Sequence, residues 1–293
     1  MSIEISNLNA VYNAGLPYEV HALTDIDLTI HDGEFVGLAG HTGSGKSTLI
    51  QHINGLLKPT SGTIKVNGED IHAEGYNLRL LRTRVGLVFQ YPEHQLFEAD
   101  VLSDVAFGPK NQGLTKEEAA EKAKEALALV GMDESFYGLS PFELSGGQKR
   151  RVAIAGMLAM DPEVLILDEP TAGLDPMGRD EILGELKKLH EEKHLTVILV
   201  SHSMEDLGQY AERIVVMSGG KVVMDGTPKE VFSHSEELTA IGLAVPQVTS
   251  VCRMLADAGW PVENNVTTVE EAKRQILAAL GKALPEEEGA HVS

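Results

Sequence analysis

Apolar and polar residues alternate over residues 3–12 and 22–30, as in Leu23, Ile26, Leu28 and Ile30, a period that predicts half-buried strands. The short apolar run Phe35–Ala39 ends at a glycine cluster and predicts a buried strand feeding a helix that starts near Lys46. Residues 61–68 and 85–89 read as two more strands. Residues 164–167 and 197–200 are wholly apolar and rich in β-formers, the pattern of central parallel strands covered on both faces. A last pair is expected at 214–217 and 222–224, joined through Ser218-Gly219-Gly220. Residues 115–130 predict a helix whose cap is Thr115, with Glu118 at capping-box spacing, and residues 146–160 predict another. After about Ser233 the character changes. Residues 246–258 (Val248, Val251, Leu255) and 268–284 (Ile276, Leu280, Leu284) carry helical spacing, divided by Gly259-Trp260-Pro261, and the final PEEEGAHVS reads as disordered. The expectation is an α/β domain over residues 1–233 and a small helical extension over 234–293, with no internal repeat.

Composition narrows the class. With 293 residues, 43% hydrophobic and 23% charged, the chain suffices for one large domain and an appendage. No stretch reaches the roughly 18 to 20 apolar residues that span a bilayer, and the N-terminus lacks the features of a signal peptide. A membrane role would therefore need a partner. The formal charge of −20, with no basic run, argues against nucleic-acid binding, which draws its affinity from Lys and Arg. The single cysteine, Cys252, can form no internal disulfide, which suits a reducing cytoplasm.

Three segments carry chemistry. Gly40-His41-Thr42-Gly43-Ser44-Gly45-Lys46-Ser47, followed by Thr48, fits a P-loop between a strand and a helix. Its glycines let backbone N–H groups turn towards phosphate, Lys46 offers a charge to the β- and γ-phosphates, and Ser47 offers a hydroxyl to Mg²⁺. A buried strand ends in Asp168-Glu169. Asp168 suits the Mg²⁺ shell and Glu169 suits a general base for the attacking water. Leu144-Ser145-Gly146-Gly147-Gln148 sits at a second helix start and makes a second anion site from Ser145, Gly147 and Gln148.

Together these segments resemble the ATP-binding cassette (ABC) ATPases, with Walker A, signature and Walker B in the family's order across about residues 3–230. The resemblance implies a P-loop NTPase fold of ABC type: a mostly parallel core sheet, an antiparallel β subdomain and a helical subdomain, here with a C-terminal helical extension. It implies ATP and Mg²⁺ as ligands, and a head-to-tail dimer in which each ATP lies between the Walker A of one subunit and the signature of the other. Ala172-Gly173-Leu174-Asp175 matches the D-loop. Gln90 matches the Q-loop, sensing Mg²⁺ and the attacking water. His202 matches the switch histidine and Tyr12 the aromatic that stacks on adenine. His41 departs from the family, standing where proline is frequent.

Within the family, residues 89–98, 104–113 (DVAFGPKNQG) and 168–176 (DEPTAGLDP) are similar to the ATPases of energy-coupling factor transporters, which import vitamins or transition-metal ions. Pro170-Thr171-Ala172-Gly173 is similar to the second of the paired ATPases. This implies a second ATPase subunit, a transmembrane coupling protein and a substrate-binding membrane protein as partners, a place on the cytoplasmic face of the membrane, and a dimerising role for the C-terminal helices. Residues 90–98 are the expected docking segment, with Glu93 and Glu98 flanking Leu96 and Phe97. A soluble repair or translation ATPase is the competing reading; the absence of sustained heptads and of a second ATPase domain speaks against it. A catalytically dead regulatory module is the third, and Glu169 with His202 speak against that.

Overall fold

The computed structural model describes residues 1–91 and 95–282. Among the described residues, ten strands run in chain order: β1 (Ile3–Tyr12), β2 (Val20–Ile30), β3 (Phe35–Ala39), β4 (Ser61–Val66), β5 (Glu69–Asp70), β6 (Val85–Val88), β7 (Val164–Asp168), β8 (Thr196–Val200), β9 (Arg213–Ser218) and β10 (Lys221–Gly226). The helices are α1 (Lys46–Ile53), α2 (Leu78–Arg84), α3 (Val101–Asn111), α4 (Lys116–Leu129), α5 (Gly146–Leu158), α6 (Pro176–Lys193), α7 (Met204–Tyr210), α8 (Pro228–Ser233), α9 (Ser235–Ala240), α10 (Gln247–Asp257) and α11 (Val269–Ala279).

The central sheet has the order β10-β9-β3-β8-β7-β6, parallel except for the β9–β10 hairpin. A second sheet, β2-β1-β4-β5, is antiparallel. The wholly apolar central strands are explained by what lies on each face. Successive side chains point to opposite sides of a strand, so Leu165, Leu167, Val197 and Leu199 enter one core with helices α3 to α9. Val164, Ile166, Ile198 and Val200 enter the other, shared with α1 and the antiparallel sheet. Two cores on one sheet fix the ends of β3, β7 and β8 at a common edge.

Helix α4 begins with the capping box expected at Thr115 and Glu118. Helices α2, α3, α6, α7, α8 and α9 are additional to those expected from periodicity. The two C-terminal helices enclose a small cluster of Cys252, Val266 and Ala272, with Val248 and Ile276 packed against it. Val251 and Leu280, expected on the same stripes, are exposed. Leu284 and the PEEEGAHVS end lie outside the described residues, as does Glu93. Among the described residues no helix is long and apolar enough to cross a membrane.

Candidate functional site

Strand β3 delivers the chain into a tight loop that only glycine permits at two points. Gly40 has φ of 151° and a Cβ there would lie 2.4 Å from the Met217 carbonyl oxygen. Gly45 has φ of 104° and a Cβ there would lie 2.6 Å from that of Ala22. Helix α1 then starts with no side-chain cap and no acidic residue in its first turn, whereas Asn77, Asp100, Thr115, Ser145, Asp175, Ser203 and Thr227 cap other helices. An uncapped start leaves N–H donors and the positive dipole end facing outward.

The loop opens on a cleft of about 240 Å³ lined by Thr42, Gly43, Gly45, Lys46, Ser47, Thr48, Gln90, Asp168, Glu169 and His202. The structure thus brings together residues spaced over 160 positions of chain. Lys46 is buried and its Nζ donates to the carbonyls of Gly40 (2.6 Å) and His41 (3.1 Å). Burial lowers its pKa, and the carboxylates of Glu169 and Asp168 act against that. The Ser47 hydroxyl donates to Asp168 Oδ2 at 3.1 Å. Burial raises the Asp168 pKa, opposed by that hydrogen bond and by Lys46. Glu169 stands at φ 52° just past β7, its N–H held by the Val200 carbonyl at 3.0 Å. Burial pushes its pKa up to about 7. His202 Nε2 lies 3.4 Å from Glu169 Oε1. Burial, then the Lys46 charge, lowers the His202 pKa, against the opposing Asp168 carboxylate and Gly40 backbone.

The residues fit a magnesium–triphosphate ligand. The Ser44 hydroxyl and Glu169 Oε1 are buried with no hydrogen-bond partner, and buried polar groups are otherwise paired. Lys46 is satisfied only by neutral carbonyls, weaker acceptors than phosphate oxygens. Among the described residues no three His, Cys, Asp or Glu side chains gather as metal ligands. Ser47 and Asp168 supply a hydroxyl–carboxylate pair, the sparse protein share typical of Mg²⁺ bound with nucleotide.

Other candidates sit apart or at the rim. Tyr12, half exposed, places its hydroxyl 3.4 Å from Thr48 Oγ1, beside the cleft. The His41 Nδ1 pairs with the Thr42 carbonyl at 2.8 Å. Ser145 and Gln148 do not reach the cleft: they close a capping box on each other at the start of α5. A Cβ at Gly146 would meet nothing within 4 Å, and one at Gly147 only the Leu174 side chain. One chain therefore carries two separate phosphate-type helix starts. In the expected docking segment, Leu96 is buried, because it belongs to the core cluster with Val101 and Val105. The exposed apolar surface is made instead by Phe97 and Phe107, edge to face at 4.8 Å. They help line a groove of about 910 Å³ between α2, α3 and α5, where Leu80, Met157 and Met160 also lie.

A strand order with a phosphate-type loop after β3 and paired carboxylates after β7 defines a P-loop ATPase. The ABC transporter family model matches residues 23–172, and the chain belongs to that family of ATPases. It is 56% identical to the energy-coupling factor transporter ATP-binding protein EcfA2 of Clostridium tetani, over 94% of this chain and 96% of the relative. It is 55% identical to the EcfA2 of Caldanaerobacter subterraneus subsp. tengcongensis, over 96% and 98%. Within the ABC ATPases it is thus an energy-coupling factor transporter ATP-binding protein, similar to the second of the paired ATPases. The solved structure of cbiO1 from Clostridium perfringens, part of the ABC transporter complex cbiONQ, superposes with a TM-score of 0.72 at 40% identity, covering 85% of this chain and 97% of that one. A dimeric ATP-binding cassette in a post-hydrolysis state bound to ADP and Pi superposes with a TM-score of 0.70 at 33% identity, covering 77% and 98%.

Proposed function

We propose that this chain is the ATP-driven motor of an importer for vitamins or transition-metal ions. In this reading it pairs head to tail with a second ATPase subunit at the cytoplasmic face of the membrane. It drives a transmembrane coupling protein and a separate substrate-binding membrane protein. One observation carries the reading: Lys46, Ser47, Asp168, Glu169 and His202 share one cleft, while the Ser145–Gln148 helix start faces elsewhere. A lone chain cannot close both phosphate-type ends on one nucleotide; a second subunit turned head to tail can.

The P-loop N–H groups and Lys46 would hold the triphosphate, and Ser47 with Asp168 would hold Mg²⁺, which would neutralise phosphate charge. Tyr12 flanks the base. Glu169 takes a proton from water, and His202 and Gln90 orient the reacting groups, in keeping with a reaction governed by positioning and electrostatics. The groove at Phe97 and Phe107 seats helices of the membrane partner. The name EcfA2 on the relatives, and membership of cbiO1 in a membrane complex, favour this reading over a soluble ATPase. It is tested by isolating the chain with its partners from detergent-solubilised membranes. The complex should contain a second ATPase and membrane proteins and release phosphate from ATP. With Lys46→Ala, tight ATP binding and turnover should be lost from an intact complex. Recovery without membrane proteins, or Lys46→Ala with unchanged affinity and turnover, would count against it.

A further inference from the structure

A carboxylate outside the cleft ties its catalytic loops together. Asp206, in α7, is 4% exposed, yet no sequence motif singles it out. Its Oδ2 accepts from the Thr171 hydroxyl at 3.4 Å, and Thr171 is itself buried two residues past Glu169. Its Oδ1 lies 3.7 Å from Nη1 of Arg179 in α6, the helix that follows the D-loop. Its own N–H donates to the Ser203 hydroxyl at 3.1 Å, and Ser203 directly follows His202. Asp206 belongs to the helix that follows His202, and its side chain reaches from there to the turn behind Glu169 and to the helix behind the D-loop.

Arg179 is more than a third exposed and 3.7 Å away, so this ion pair does little to offset the cost of burying the Asp206 carboxylate. Stability alone does not explain a carboxylate here. We propose that Asp206 is a positioning residue for ATP hydrolysis, locking the Glu169 turn and the helix after His202 to each other so that the two side chains keep their places in the cleft. This rests on the reading of Glu169 and His202 given above. Asp206 does not line the cleft and acts on it through Thr171, the following helix and its charge near Glu169, so its effect falls on the chemical step rather than on nucleotide binding.

The test uses the full chain with Asp206→Leu and Asp206→Asn, reading kcat, affinity for a fluorescent ATP analogue and the thermal midpoint. Displacing reacting groups by about 1 Å can cost 10²-fold, so Asp206→Leu should lose about 10- to 100-fold in kcat. Its nucleotide affinity should stay within about twofold, while its midpoint should fall only modestly, by the loss of the Thr171 and Arg179 contacts. Asp206→Asn keeps an oxygen for Thr171 and should lose less; it also decides the matter if the leucine variant does not fold. Unchanged kcat in a folded variant, or kcat, affinity and midpoint falling together, overturns the proposal. Groups that act as a unit are not additive, so Asp206→Leu added to Glu169→Gln should slow turnover no more than about twofold further. Fully additive losses would also overturn it. Undiminished turnover in Glu169→Gln alone would instead remove Glu169 as the base, while the split between kcat and affinity in Asp206→Leu still tests the positioning role.

Discussion

Burial makes Glu169 costly to ionise, and the carboxylates of Asp168 and Asp206 add to that cost, against the opposing His202 backbone hydrogen bond and Lys46 charge. A folded-state pKa of about 7 against an ordinary 4.5 means that the native protein binds this proton more tightly than the unfolded chain does. The associated stability is full below pH 4.5 and is lost as pH rises through about 7, up to about 3 kcal/mol. Glu169→Gln removes that titration. Without nucleotide, the variant should melt several degrees above the unmodified protein at pH 8, and the gap should shrink as pH falls towards 5. A gap independent of pH would show that Glu169 ionises like an ordinary carboxylate. With Mg-ATP the same substitution should leave binding intact and slow hydrolysis by about 10²- to 10⁴-fold, so that ATP-bound dimers accumulate. Full phosphate release would mean that another group activates the water.

At the scale of elements, the C-terminal helices face two ways. Towards the ATPase they are fastened: the Gln247 N–H donates to Glu205 of α7 at 3.2 Å, and Lys229 pairs with Glu271 at 2.5 Å. Away from it, Val251 and Met254 of α10 and Val269 of α11 are exposed, an apolar face that suits the proposed dimerising role. Leu238 and Leu243, beyond Ser233, belong to the main core, so truncation at 233 would damage the ATPase itself. Val251→Glu with Met254→Glu leaves the core untouched. In sedimentation it should shift nucleotide-free protein, or its complex with the second ATPase, towards monomer. An unchanged assembly state would mean that the extension serves only its own domain. Elements differ in how far they were legible in sequence for related reasons. Strands β7 and β8 announce themselves because both faces are covered, and α4 because its cap and period agree. Helix α3 is obscured by Gly108-Pro109 inside it, and α7 to α9, at six or seven residues, are too short to display a period. The cleft was legible wherever its residues are consecutive, as at 40–48 and 168–169. Asp206, Thr171 and Arg179 meet only through tertiary packing, so no spacing could announce them.

At the scale of the whole molecule, the proposed function requires the cleft to communicate with a membrane partner, and Gln90 lies in the chain between the cleft and the groove. It lines the cleft at the end of β6, and a few residues later the chain reaches Phe97 at the groove. Part of the groove comes from Val152, Ala153, Gly156 and Met157 of α5, the helix whose first residues are the signature segment, so an occupant would press on the helix behind that segment. The exposed pair Phe97 and Phe107 supplies the aromatic surface on which binding energy tends to concentrate. Reversal of Glu98, next to Phe97, tests charge at this surface, but a single exposed ion pair contributes only about 0 to 1 kcal/mol. The aromatic pair is the sharper test. Both rings are substantially exposed, so Phe97→Ala with Phe107→Ala should leave the fold and Mg-ATP affinity intact. Loss of buried aromatic anchors typically costs about 2 to 4 kcal/mol, or roughly 30- to 700-fold in affinity. The double variant should therefore bind nucleotide normally and pair with the second ATPase, yet fail to co-purify with membrane proteins and fail to support uptake. If it assembles and transports normally, the membrane partner docks on another face, and the path from Gln90 to the groove is not the route of coupling.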